Sequence, residues 1–221
     1  MGENGVVSQA QFRQALEALR RDGLLLTSDQ TLPSVASLVA GEPIRGSWWA
    51  HPTAHDIQNV ADLLGDHPDV IIVKLVSGKN TYLHRRLWPA VHAVGRAREP
   101  WQLDGLSPVA QRLLDAVTKQ GTLRTNDVPW TGGPKKDSPG EGARQLERRL
   151  LAYSEAVHTE TGAHAKRLEG WESWAKRVGL AERKLTPERA KKELEDVMTD
   201  LNDRFQANGR LPWQPARGRK P

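Results

Sequence analysis

The sequence predicts a mixed α+β protein, mostly helical, with two tandem winged-helix-like units that carry β-hairpin wings, followed by a C-terminal helix. One observation is that residues 142–170 read as a short basic helix followed by two strands joined at Thr161-Gly162, the order found in the second half of a winged helix. Another is a repeat. The order helix, long irregular connection, helix, hairpin and helix occurs twice, about ninety residues apart.

The first predicted unit covers residues 1–100. Helices are predicted where apolar residues recur every three or four positions, and strands where β-branched residues cluster between turn signals. Gly78, in the turn 77–80, stands where a type II′ hairpin requires glycine. The predicted elements are a helix over 8–22 capped by Ser8, a strand within 24–30, a short helix opening at Pro33, a helix over 53–65 capped by Thr53, strands over 70–76 and 81–85, and a helix over about 87–98.

The second predicted unit covers residues 101–180. Ser107 and Pro108 are typical of a helix start and Gly121 of a helix end, which predicts a helix over 107–121. A short strand over 122–124, a Gly/Pro-rich loop over 126–141, the basic helix with its hairpin, and a helix over 171–180 follow.

Residues 181–221 form a C-terminal amphipathic helix and a basic tail. Thr186 and Pro187 begin the helix and Gly209 is the predicted stop. Its narrow apolar stripe has two interpretations: docking onto the body of the same chain, or homodimerisation through the stripe. The stripe consists of Ala190, Leu194, Val197, Leu201 and Phe205.

Composition narrows the class of protein. No apolar run approaches the roughly 18 residues of a membrane span, and the N-terminus lacks the features of a signal peptide. Cysteine is absent, which excludes disulfides and thiolate zinc sites, so we expect a cytoplasmic protein that does not insert into a membrane. No phosphate-binding or dinucleotide motif is present. His51 and His55 are four residues apart, but this pair alone is not sufficient evidence for a metal site, so no cofactor is expected.

The net charge of +5 is unevenly distributed. Residues 1–100 hold ten basic and ten acidic side chains, whereas residues 204–221 hold five basic side chains and no acidic one. The global excess therefore equals the charge of the tail. A basic tail alone is weak evidence for nucleic-acid binding, because such tails also serve solubility.

The basic helix of the second unit is the main candidate contact surface. Its leucines fall on one arc of the helical wheel and its basic and amide side chains on the other. Such a face can contact phosphates and read base edges in the major groove, which makes DNA the expected partner. The candidate residues are Arg144, Gln145, Arg148 and Arg149 on the helix, His158, His164, Lys166 and Arg167 in the hairpin, and Lys135 and Lys136 in the preceding loop. The alternative is a solvated face with helical ion pairs, since acidic residues interrupt it.

Eight tryptophans, against two tyrosines and two phenylalanines, are an unusual ratio. Most lie at the junctions of predicted elements, which favours a role as large anchors between small elements. Stacking on bases is the alternative for one or two of them.

Three runs carry a resemblance: LVSGKNTYLHRRLWPAV, LERRLL and VHTETGAH. They are similar to a poorly characterised bacterial family grouped with the helix-turn-helix DNA glycosylases, which excise alkylated or crosslinked purines, and the resemblance covers residues 40–180. It implies tandem winged helices. In those enzymes a Gln-x-Gln pair positions water at the sugar, and Gln9-Ala10-Gln11 has the same letters inside the first helix.

Three functions therefore stay open at the level of sequence. The first is a nucleic-acid-binding protein without catalysis, with double-stranded DNA as its partner and a role in repair or regulation. The second is a glycosylase-like enzyme that acts on a damaged base. The third is a protein–protein interaction module that uses the C-terminal helix as its handle, because a fold alone does not fix function.

Overall fold

The computed structural model describes residues 4–130, 132–158, 164–181 and 183–215. The predicted α+β class is confirmed, since helices surround two three-stranded antiparallel sheets. The helices are α1 (Asn4–Asp22), α2 (Val35–Ala40), α3 (Ala54–Gly65), α4 (Trp88–Ala97), α5 (Pro100–Leu103), α6 (Pro108–Gln120), α7 (Pro139–Arg148), α8 (Trp171–Arg177) and α9 (Pro187–Phe205). The strands are β1 (Leu24–Leu26), β2 (Val70–Lys74), β3 (Asn80–His84), β4 (Thr122–Arg124), β5 (Tyr153–His158) and β6 (His164–Glu169).

The first sheet has the order β1-β3-β2. Its hairpin turn differs from the predicted type II′, because Ser77 and Gly78 both have positive φ, 51° and 70°, as in a type I′ turn. The turn is closed by the N–H of Lys79, which donates to the carbonyl of Val76 at 2.9 Å. β2 and β3 then pair from Lys74↔Asn80, next to the turn, to Val70↔His84.

The second sheet repeats this order as β4-β6-β5. Where the first half has α2, the second half has two 3-10 turns, at Thr125–Asp127 and Lys135–Asp137. The predicted loop over 126–141 is too long, because α7 already begins at Pro139, where the hydroxyl of Ser138 accepts from the N–H of Glu141 at 3.3 Å. The predicted hairpin turn at Thr161-Gly162 lies outside the described residues.

The starts of two other helices also differ from the prediction. α1 begins at Asn4, one turn before the predicted Ser8 cap, and Thr53 makes no side-chain capping bond to α3. By contrast, the hydroxyl of Ser107 accepts from the N–H of Ala110 at 3.3 Å and starts α6 as predicted. These differences shift ends and leave the element order unchanged.

Alternation along the strands divides the core. Leu25 and Tyr82 face α1, α2 and α3, whereas Leu24 and Leu83 face a layer formed by α4, α8 and α9. A further cluster joins α6 and α7 to the second sheet. The layer of α4, α8 and α9 also takes in Leu150, after α7, and Tyr153 of β5, so both sheets pack against it.

α9 packs against α4 through Ala190, Leu194, Met198 and Leu201, all of which are buried. Docking onto the same chain is therefore confirmed, and the buried stripe does not offer the second copy the apolar face that a dimer through it requires. Met198 is buried, while the predicted Val197 and Phe205 are only partly so. The helix ends at Phe205 with Gln206 at φ 50°, ahead of the predicted stop.

The tryptophans are mostly anchors, as predicted. Trp88, Trp171 and Trp174 are buried together, with ring centroids of the latter two 5.2 Å apart, and Trp101 packs against Trp213. Trp49 behaves differently, because 64% of its surface is exposed. Within the part of the chain that the structure describes, no helix is both long and apolar enough to cross a lipid bilayer.

Candidate functional site

A cleft of 1420 Å³ lies between the first and second sheets. One wall comes from β2, β3, α3 and the 3-10 turn Trp48–Ala50, and the other from the end of α7 with β5 and β6. Contacts of α7 and β5 with β2 join the walls. The residues that line it therefore come from both halves of the chain.

Four basic side chains from three elements lie close to one another beside the cleft, and a buried carboxylate that lines the cleft lies among them. They are Lys74, Arg144, Arg148 and Lys166, and we call them the cationic cluster. The carboxylate is Glu147, only 7% exposed, which accepts from the ammonium of Lys166 at 2.5 Å and from the hydroxyl of Ser154. Glu147 thereby fixes Lys166 in place while its own charge is neutralised.

Lys74 lies close to the other members of the cluster. Burial lowers the pKa of Lys74, Glu147 raises it, and the nearby charges of Lys166, Arg148 and Arg144 lower it further, so that the net pKa falls below its ordinary value of 10.5. Among the described residues, no carboxylate lies within ion-pair distance of Lys74 or Arg148. The cluster therefore holds positive charge that the described part of this chain does not pair.

The four predicted residues of the basic helix differ in exposure and in hydrogen-bond partners. Arg144 and Arg148 are exposed, and Arg144 pairs with Glu141 at 2.8 Å. Gln145 does not face solvent as a base reader, because its side-chain oxygen accepts from the N–H of Ser107 at 3.0 Å and joins α7 to the start of α6. Two of the four residues thus stay on the candidate surface.

Arg149 also departs from the prediction. Its guanidinium donates to the carbonyls of Gln102 at 3.0 Å, Trp101 at 3.4 Å and Asp104, which lie at the end of α5. The amide of Gln102 donates in return to the carbonyl of Arg149 at 3.0 Å. Arg149 therefore serves as a structural link between α5 and α7 and is not free to bind a phosphate.

The remaining predicted residues are scattered. Arg167 pairs with Glu155 at 2.5 Å on the second sheet, and Lys135 and Lys136 are exposed in the 3-10 turn before α7. His158 and His164 pair through their backbones at the end of the hairpin, and their side chains lie outside those that the structure describes. Only Lys166 of this set belongs to the cationic cluster.

The cleft also carries carboxylates, and most have partners. Glu155 accepts from Arg167 at 2.5 Å and from Arg177 at 3.3 Å, and Asp62 accepts from the side-chain amide of Gln58 at 2.6 Å. Asp62 lies on the wall that α3 shares with Lys74 of β2, and Glu147 and Lys166 lie on the opposite wall. Both walls of the cleft thus carry acidic and basic side chains.

Two tryptophans stand on the α3 wall. Trp48 and Trp49 stack with ring centroids 4.0 Å apart and an angle of 24° between the rings. Trp48 is half-buried against the first core cluster, and Trp49 lies over it with most of its surface in water. An aromatic platform therefore borders the same cleft as the cationic cluster.

Lys74 is not among the candidate residues that the sequence predicted. Its signal was the period of two in β2, where Ile72 and Lys74 share the face opposite the buried Ile71 and Val73. No local pattern shows that this face meets α7 of the second half, because that contact joins residues far apart in sequence. The role of Glu147 as the buried counterion likewise depends on contacts between residues far apart in sequence.

The glutamine pair of the resemblance does not converge on one point. Gln9 and Gln11 lie two residues apart on α1, so their side chains diverge by about 200° around the helix axis. Gln9 is exposed, and the amide of Gln11 donates to the carbonyl of Val39 at 3.3 Å. This geometry does not hold one water between the two side chains.

Comparisons with known proteins give no match, whether with a family model, with a curated protein or with a solved structure. The functional argument therefore rests on the geometry and charge of the cleft.

Proposed function

We propose that this protein binds nucleic acid, with double-stranded DNA as the partner, through the cationic cluster beside the cleft. The observation that carries the proposal is geometric: Lys74 of β2 and Lys166 of β6 line the cleft, α7 with its exposed Arg144 and Arg148 contacts β2, and Lys74 and Arg148 have no acidic partner among the described residues. A polyanion supplies the missing counter-charge.

We also propose that each half is a winged-helix-like unit. Support comes from the element order, in which a helix and a short strand precede a helix and a hairpin, and from sheets that both place the last strand in the centre. In winged helices the helix before the hairpin enters the major groove. Here that helix is α7, which carries Arg144 and Arg148 on its exposed face.

Phosphate contacts account for the chemistry of the cluster. Arginine presents a planar fork that matches two phosphate oxygens, and lysine acts as a point charge. Lys74 is half-buried, so a phosphate that pairs with it also offsets the cost of its burial. Because the side-chain oxygen of Gln145 is engaged, Gln145 is not free to pair bidentately with adenine, which favours binding to the backbone over direct base readout.

The test is fluorescence anisotropy of a short labelled duplex DNA over a range of salt concentrations. Arg144→Ala combined with Arg148→Ala removes two exposed cations, so the slope of log affinity against log salt becomes shallower by about 1.8, at about 0.9 for each phosphate that the variant leaves without a cation. We expect weaker binding that depends little on DNA sequence. The stability of the double variant is checked by thermal denaturation.

Arg189→Ala is the control, because Arg189 is an exposed arginine on α9, a helix that contributes no residue to the cationic cluster. It leaves the affinity and the slope close to those of the wild type if the charge of the cluster, and not total charge, governs binding. Equal affinity and equal slope for the wild type and the double variant would overturn the proposal. So would the absence of binding by the wild type at low salt.

A further inference from the structure

In the Trp48–Trp49 pair, only the inner ring, Trp48, has an evident role in stabilising the fold. Trp48 is anchored in the first core cluster, and the short 3-10 turn holds Trp49 over it at 4.0 Å. Trp49 leaves 64% of its surface in water, although burial of an indole is favourable. The outer ring is therefore a flat apolar surface held in a fixed orientation at the cleft.

The polar groups beside this platform suit a nucleobase better than a phosphate. Gln58 and Asp62 line the same wall; their mutual hydrogen bond leaves one oxygen of each side chain without a partner among the described residues, and the carboxylate of Asp62 would repel a phosphate. A carboxylate accepts well from the exocyclic amino group of a base, and an amide side chain can pair with a base edge. Lys74 and Lys166 of the cationic cluster line the same cleft, and their charges favour backbone phosphates.

We propose that Trp49 stacks on an unpaired base, so that the ligand of the cleft is DNA in which a duplex adjoins an unpaired segment. Base–aromatic stacking requires a base whose face is free, which a fully paired duplex does not offer. The cleft volume of 1420 Å³ leaves room for an unpaired nucleotide. This inference rests on the proposed function, because the phosphates of the same strand are held by the cationic cluster.

The experiment compares two labelled duplexes of the same sequence, one fully paired and one with a short gap that exposes deoxyadenosines, by fluorescence anisotropy. Wild-type protein should bind the gapped duplex more tightly. Trp49→Ala should weaken binding to the gapped duplex about tenfold, the effect of losing one stacked base, and leave binding to the paired duplex unchanged. The affinity of Trp49→Phe for the gapped duplex should fall between those of the wild type and Trp49→Ala, because its ring is smaller than indole.

Trp130→Ala is the matched control, since Trp130 is 48% exposed and does not line the cleft. It should retain the preference for the gapped duplex. Equal binding of both duplexes by the wild type, or an unchanged preference in Trp49→Ala, overturns the stacking proposal and leaves DNA binding standing. If the wild type binds neither duplex at low salt, the proposed function itself fails.

Discussion

The guanidinium of Arg204 donates to the carboxylate of Asp22 at 2.9 Å and joins the end of α9 to the end of α1. Arg21 binds the same carboxylate at 2.8 Å, and the side chain of Asp22 has no exposed surface. The first and last described helices are therefore held together by one buried acid. The charge of that acid should control part of the stability.

Replacement of Asp22 by asparagine should lower the free energy of unfolding at neutral pH. Burial raises the pKa of Asp22, but the hydrogen bonds and charges of Arg21 and Arg204 outweigh it and bring the pKa below its ordinary value of 3.8. The stabilisation by ionised Asp22 is fully present above its ordinary pKa of 3.8 and is lost as the pH falls through the lowered pKa of the folded protein. The difference between wild type and variant should therefore shrink in acid, as measured by urea denaturation across pH.

Asp196→Asn is the control for that series. Asp196 forms a surface pair with Lys192 on α9, and 60% of its side chain is exposed. Its replacement should change stability by no more than about 0.5 kcal/mol. An equal loss in both variants would mean that the Asp22 contacts contribute no more than a surface pair.

Gly95→Ala should destabilise the contact between α4 and α8. A Cβ atom at residue 95 would lie 2.2 Å from the indole nitrogen of Trp171, which donates to the carbonyl of Leu150 at 2.7 Å. The indole must move and the hydrogen bond must weaken, so we expect a loss of about 1–3 kcal/mol despite the better helix propensity of alanine. Chemical denaturation measures it.

Gly140→Ala provides the comparison, because its Cβ would meet no atom closer than 4.0 Å. Its free energy of unfolding should change by less than about 1 kcal/mol. If Gly95→Ala were as stable as Gly140→Ala, this result would contradict the close approach of Trp171 to α4.

Arg149→Ala and Arg148→Ala should have opposite consequences although the residues are neighbours. Arg149→Ala leaves the carbonyls at the end of α5 without their donor and should cost about 1–3 kcal/mol of stability. Arg148→Ala should change stability by less than about 0.5 kcal/mol, because the side chain is exposed, and should weaken DNA binding. Denaturation and anisotropy on both variants separate the two roles, and a stable Arg149→Ala variant would contradict the structural link.

Local pattern was sufficient for most of the fold. The spacing of apolar residues in α3, α6 and α9 and the β-branched run of β2 are set by neighbours in sequence, and these elements lie where the sequence predicted them. The segment 126–141 was harder, since its glycines and prolines concealed the start of α7 at Pro139. The winged-helix identity of the two halves stays a proposal.

The candidate site was less accessible to sequence because its residues are sorted by distant partners. Gln145 and Arg149 lie on the polar arc of the helical wheel, yet their hydrogen bonds reach residues 38 and 47 positions away. A wheel separates apolar from polar faces and cannot tell a polar side chain in solvent from one that joins two elements. Lys74 reaches the cluster through the contact of β2 with α7.

Lys74 should make DNA binding dependent on pH in the alkaline range. Burial lowers the pKa of Lys74, the charge of Glu147 raises it, and the charges of Lys166, Arg148 and Arg144 lower it further, so that the pKa lies below 10.5. Only the protonated side chain attracts phosphate, so affinity is full below the lowered pKa of the free protein and declines as the pH rises above it. Lys74→Arg should retain binding and lose this decline, because arginine stays charged. Anisotropy of both proteins at each pH cancels changes in the DNA itself, and parallel curves would exclude Lys74 from the contact.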